Sequence, residues 1–147
     1  MIDLNSKRDN KEAIELLYRG YRAFTDQADR LLEKRGLNRA HHRILYFVGR
    51  SPDGSVAELL DALAISKQAL NVPLRQLISM ELISSKRSGT DARVKMLRLT
   101  SSGKTLESRL TQAQATLLDG VFKQSGPVAE QAWHDVMHIL VQVHEVS

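Results

Sequence analysis

Residues 66–77 read SKQALNVPLRQL, and the polar members of this stretch are side chains able to tell base pairs apart. On a wheel of about 100° per residue, Leu70, Leu74, Leu77 and Ile78 gather on one side. Gln68, Asn71, Val72, Arg75 and Ser79 gather on the other. Asn and Gln amides pair bidentately with adenine, a guanidinium pairs with guanine, and valine methyls suit the methyl of thymine. Ser66 and Lys67, at the N-terminal end of such a helix, suit phosphate. Pro73 is the objection. It offers no N–H to the carbonyl of Ala69 and costs up to about 3 kcal/mol in an unbent helix. Because the leucine stripe continues across it, the sequence predicts one helix, kinked near residues 69–73. The plain alternative is an ordinary polar helix face.

The surrounding chain is basic. Ser66 to Leu110 holds nine Lys or Arg against three Asp or Glu, while the rest of the molecule is net acidic and the total is +4. Positive charge concentrated in this way suits a polyanion. Lys86, Arg87 and Lys95 lie within it and suit sequence-independent attraction to phosphate, which falls steeply with salt.

Other chemistry finds less support. The stretch SSGKT at Ser101–Thr105 looks like the end of a P-loop, but Arg98 stands where that motif needs glycine. Thr100 also opens a helix at once, with no loop before it, so nucleotide hydrolysis is not expected. Neither G-x-S-x-G nor H-E-x-x-H occurs, so no enzyme activity and no cofactor is expected. Glu130, His134 and His138 stand at i, i+4 and i+8 and would hold zinc only with a further ligand from elsewhere. Solvated or interface residues beside Trp133 are the plainer reading, so no metal is expected. The chain has no cysteine, which excludes disulfides and thiol redox sensing and is compatible with the cytoplasm, its expected location. No apolar run reaches the ~18 residues of a membrane span, and the N-terminal MIDLNSKRDNKEAIELL has no signal-peptide core.

The elements that must position these residues follow from periodicity. A chain of 147 residues, 42% hydrophobic and 26% charged, is expected to form one domain over 1–147. Ile14, Leu17, Tyr21, Phe24, Ala28 and Leu31 predict a helix over about 10–34. A second helix starts at Asn38 and stops before SPDGS, a turn signal. Ser55 and Glu58 form a capping box opening a short helix over 56–63. Ser66 caps the next, with Ile65 and Leu70 as a hydrophobic staple. Ile83–Arg87 and Arg93–Leu99 read as two strands around SGTDA. Within the second, Val94 and Met96 are out of phase with Leu97 and Leu99, so either a bulge or burial on both faces is required. Thr100 caps a long helix that SGP ends at 125–127, and a last helix carries Trp133, Val136, Leu140 and Val143. The fold class is mostly α (α+β), a winged helix-turn-helix with a two-stranded wing. The apolar stripes of the first and last helices exceed what one copy buries, so a C2 homodimer is expected.

In RSGTDARVKMLRLTSSGKTLE, with GLNRAHHRIL and LLDALAISKQAL upstream, the chain resembles the MarR family of bacterial winged-helix transcription regulators. The family's wing pattern, Asp-x-Arg followed by LT-x-x-G, falls on Asp91, Arg93, Leu99, Thr100 and Gly103. The resemblance implies a dimer on double-stranded DNA, with each recognition helix in a major groove and Arg93 in the adjacent minor groove. A narrow minor groove has enhanced negative potential that suits an arginine, and Asp91 would orient the guanidinium. About 38–100 would form the DNA-binding lobe, and about 10–34 and 101–147 the dimerisation helices. The resemblance further implies a repressor of a pseudo-palindromic operator and a small, frequently aromatic effector, for which Tyr18, Tyr46 and Phe47 are candidate pocket residues. His41 and His42 fall at positions read as packing or capping. A winged-helix module that holds a protein partner is the alternative.

Overall fold

The computed structural model describes residues 9–146. Residues 1–8 and 147, part of the expected single domain, lie outside the described residues. The element order is α1 (Lys11–Glu33), α2 (Arg39–Arg50), β1 (Gly54–Ser55), α3 (Val56–Leu63), α4 (Lys67–Ser79), β2 (Ile83–Arg87), β3 (Lys95–Leu99), α5 (Ser101–Ser125) and α6 (Pro127–Val146).

Side-chain caps set most helix starts. Asn38 Oδ1 accepts from the Ala40 N–H at 2.9 Å, and His41 reaches back to the Asn38 N–H at 3.0 Å. Ser55, Ser66 and Thr100 cap α3, α4 and α5 through the backbone N–H groups of Glu58, Ala69 and Gly103. Each cap satisfies an orphan donor and contributes about 1 kcal/mol. Only the serine half of the expected box at Ser55 forms.

The core sits around α2. Ile44, Leu45 and Val48 meet Leu59 of α3, Leu70 and Leu77 of α4, Leu97 and Leu99 of β3, and Leu106 and Leu110 of α5. Burial of each such side chain stabilises the fold by about 1.5–3 kcal/mol. Ala28 and Leu32 are the only apolar residues of α1 that are buried, and none of the described α6 apolar side chains is.

The sheet departs from expectation. The wing is the two-stranded hairpin β2–β3, but Gly54–Ser55 adds a third antiparallel strand, giving the order β1-β3-β2. Two residues are too few to show an alternation, so SPDGS presented only its turn signal. β3 begins at Lys95, not Arg93, and pairs without a break from Arg87↔Lys95 to Ile83↔Leu99. No bulge is needed. Leu97 and Leu99 face the core, Met96 is half-buried on the other face, and Val94 precedes the strand.

The LT-x-x-G pattern has a packing reason. Thr100 Oγ1 donates to Glu81 O at 2.6 Å and accepts the Gly103 N–H at 3.0 Å, and the Thr100 N–H bonds Leu82 O at 3.1 Å. Gly103 lies against this same Leu82 carbonyl, where there is no room for a Cβ. The start of α5 is thereby clamped to the start of the wing.

Candidate nucleic-acid interface

α3 and α4 are joined through Ala64, whose φ of 53° lets the chain reverse tightly, followed by half-buried Ile65 and the Ser66 cap. α4 is then a single helix through Pro73, as the leucine stripe required. Leu70, Leu74 and Leu77 are buried, and Ser66, Lys67, Gln68, Asn71, Val72 and Arg75 are all exposed. Val72 is 57% exposed although apolar, a position that a thymine methyl would cover and water does not favour. Pro73 is half-buried on the flank between the two faces.

The wing carries the second set. Its tip is tied by Ser88 N–H to Val94 O at 2.8 Å, Val94 N–H to Asp91 O at 3.0 Å and a Ser88–Thr90 hydroxyl pair at 2.9 Å. Asp91 Oδ1 accepts from both the backbone N–H of Arg93 at 3.0 Å and its Nε at 3.3 Å. The Arg93 side chain remains 92% exposed, aimed but not covered. Lys86 and Arg87 stand on β2 and Lys95 on β3, all exposed. Arg87 and Lys95 are register partners, so two cations lie directly across the ladder, which is unfavourable unless an anion lies over them.

Two features escaped sequence reading. Arg98 on β3 makes a bidentate ion pair with Asp53, whose hydrogen bonds hold the Arg98 pKa above its ordinary value. The pair pins β3 to the turn before β1. Its signal was the PDG turn, but no spacing links positions 53 and 98. His41, read as packing or capping, is 4% exposed and also bonds Gln76 of α4 at 2.7 Å.

The expected pocket residues stand on two helices, Tyr18 on α1 and Tyr46 and Phe47 on α2. Tyr18 is 71% exposed on α1, while Tyr46 and Phe47 contact each other edge-on at 5.3 Å. Arg50 donates to the Tyr46 hydroxyl at 2.9 Å, and Phe47 borders a cavity of about 40 Å³ that neither tyrosine lines. A wider cleft between α1 and α2 is instead charged, lined by Arg19, Arg22, Asp26, Asp29 and Arg39. Among the described residues no three His, Asp or Glu converge, Glu130, His134 and His138 included. Ligands at i and i+8 on one helix are spread over about 12 Å. His134 instead packs against Trp133 and Phe122 at ring distances of 5.1 and 6.0 Å. Among the described residues no helix is long and apolar enough to cross a membrane.

Comparison with known proteins agrees with this geometry. Residues 35–94, from just past α1 through the wing tip, match the MarR family model. The HTH-type transcriptional regulator PetP of Rhodobacter capsulatus is 34% identical over 131 residues, 89% of this chain and 79% of that protein. Streptococcus pneumoniae FabT, solved in complex with DNA, superposes with a TM-score of 0.82 at 17% identity, over 93% of this chain and 98% of that one. Staphylococcus aureus MarR, solved with salicylate and kanamycin, gives 0.73 at 23% identity, over 93% and 91%. With the helix-turn-helix, the wing and the Asp91–Arg93 pair in place, the chain belongs to the MarR family of transcription regulators.

Proposed function

We propose that this regulator is a cytoplasmic homodimer that represses transcription by holding a pseudo-palindromic operator. The observation that carries the reading is the wing: Arg87 opposed to Lys95, beside an Arg93 steered by Asp91 and left open. That arrangement is unfavourable until a polyanion covers it. Each α4 lies in a major groove, with Gln68, Asn71, Val72 and Arg75 toward base edges and Ser66 and Lys67 on phosphate. Arg93 enters the flanking minor groove, and Lys86, Arg87 and Lys95 add phosphate attraction.

The second copy covers the apolar surface that one copy leaves open. Ile14, Leu17 and Tyr21 of α1, Leu117 and Val121 of α5, and Trp133, Val136 and Leu140 of α6 are all exposed within one chain. An apolar surface of this extent marks an interface, which makes α1, α5 and α6 the dimerisation helices. Release follows when a small aromatic effector changes the separation of the two recognition helices, since like faces of a duplex recur about every turn, ~34 Å. The salicylate bound to S. aureus MarR supports this step.

The test is duplex binding by the purified protein. Enrichment of a pseudo-palindrome from random duplexes, with affinity falling steeply between ~50 and ~200 mM salt, is expected. No duplex preference at low salt would favour a module that holds a protein partner.

A further inference from the structure

The first turn of α2 contains a buried histidine bonded on both ring nitrogens. His41 Nδ1 accepts the Asn38 backbone N–H at 3.0 Å. A nitrogen that accepts carries no hydrogen of its own, so the ring's hydrogen is on Nε2. Nε2 lies 2.7 Å from Oε1 of Gln76 and donates to it. His41 is enclosed, whereas Gln76 is on the open side of α4. The bond therefore fixes an exposed position of the recognition helix to the interior. On the other side, Arg39 joins this same turn of α2 to Asp29 of α1 at 2.9 Å.

Gln76 comes three residues after Pro73, which removes the rung that Ala69 O would otherwise receive. The turns before and after the proline are joined more loosely than in an unbroken helix. Leu74 and Leu77 hold the later half by apolar packing, which has no directional preference. A hydrogen bond from a buried donor does have one.

We infer that His41 is a positioning residue for DNA reading. Through Gln76 it sets the rotation of α4 about its own axis, and hence the preference for operator over other duplex, without touching DNA. Gln68, Asn71 and Arg75 read bases correctly only while that rotation is held. The inference rests on the DNA-binding reading above.

Substitution can separate the two ring nitrogens. Asparagine puts its amide oxygen near the Nδ1 position, and glutamine puts its amide nitrogen near the Nε2 position. His41→Asn therefore keeps the cap of α2 and loses the bridge, while His41→Gln keeps the bridge. Gln76→Ala removes the bridge from an exposed site. The full-length wild type selects a duplex from a random library of about 30 bp, long enough for two half-sites. Affinity for that duplex, relative to a scrambled one of equal composition, is then measured for each variant. A loss of about tenfold in this ratio, the scale of one specific contact, is expected for His41→Asn and Gln76→Ala. No further loss is expected in the double variant, and His41→Gln should restore the ratio. Affinity for the scrambled duplex should stay constant throughout. An unchanged ratio in both single variants, or losses that add in the double variant, overturns the inference and leaves DNA binding standing. A wild type that selects no duplex overturns both.

Discussion

Alanine at position 103 would put a methyl group where the fold places backbone. A Cβ there would lie 2.0 Å from the Leu82 carbonyl oxygen and 3.0 Å from its carbon. Carbon–oxygen contacts settle at about 3.3 Å or more, so α5 and β2 would have to part by roughly 1 Å. The hydrogen bonds from Thr100 N to Leu82 O and from Thr100 Oγ1 to Glu81 O span that gap. Weakening both costs about 1 kcal/mol each, and overpacking adds about 1–3 kcal/mol. The better helix propensity of alanine returns about 1 kcal/mol. The net loss is about 2–4 kcal/mol, or a Tm lower by roughly 5–15 °C for a chain of this size. Thermal unfolding followed by circular dichroism measures it, with protein concentration held fixed because the Tm of the proposed dimer depends on it. Gly120 of the same helix is the reference, because a Cβ there meets nothing within 4 Å. Gly120→Ala should be neutral or raise stability by up to ~1 kcal/mol. A Gly103→Ala protein as stable as the wild type would refute the clamp as the reason for LT-x-x-G.

Arg93→Ala should weaken binding to the selected duplex by at least ~1 kcal/mol without lowering Tm; an unchanged footprint and affinity would remove the wing from the mechanism. Leu140→Glu places a charge in the face assigned to the second copy, so sedimentation should show a dimer for the wild type and a monomer for the variant. A stable Leu140→Glu dimer would disprove that assignment. Pro73→Ala returns the N–H that Ala69 O lacks. With ~3 kcal/mol of helix preference set against ~1 kcal/mol of lost chain stiffness, stability should rise by roughly 1–2 kcal/mol. The selected duplex should change as well if the proline sets a kink. Burial pushes the His42 pKa down, more than the nearby Glu107 and Asp29 carboxylates push it up, with Arg43 adding to the lowering. Below its ordinary value of 6.5 the unfolded chain binds the proton first, so stability falls as pH drops from 6.5 toward the folded-state pKa. His42→Phe should flatten that stretch of a stability–pH curve, and an equal slope in both proteins would show that another group titrates.

Local signals settled most of the fold. The caps at Asn38, Ser55, Ser66 and Thr100 and the 3.6-residue stripe of α4 involve residues two to four apart, so the chain states them without its tertiary context. The outward set on α4 followed from that stripe, and the Asp91–Arg93 bond from a two-residue spacing. Phase within β3 was ambiguous because Met96 is half-buried on one face and Leu97 and Leu99 are buried on the other. Only pairing with β1 and β2 decides that, and pairing is not a local property. The Asp53–Arg98 ion pair, the approach of Gly103 to Leu82, and the bond from His41 to Gln76 join residues 45, 21 and 35 positions apart. Composition and periodicity carry no record of such contacts. The sequence alone determined which side chains of α4 face outward. Tertiary packing decided what holds them at a fixed angle, because directional bonds between separate elements exist only after the core has brought those elements together.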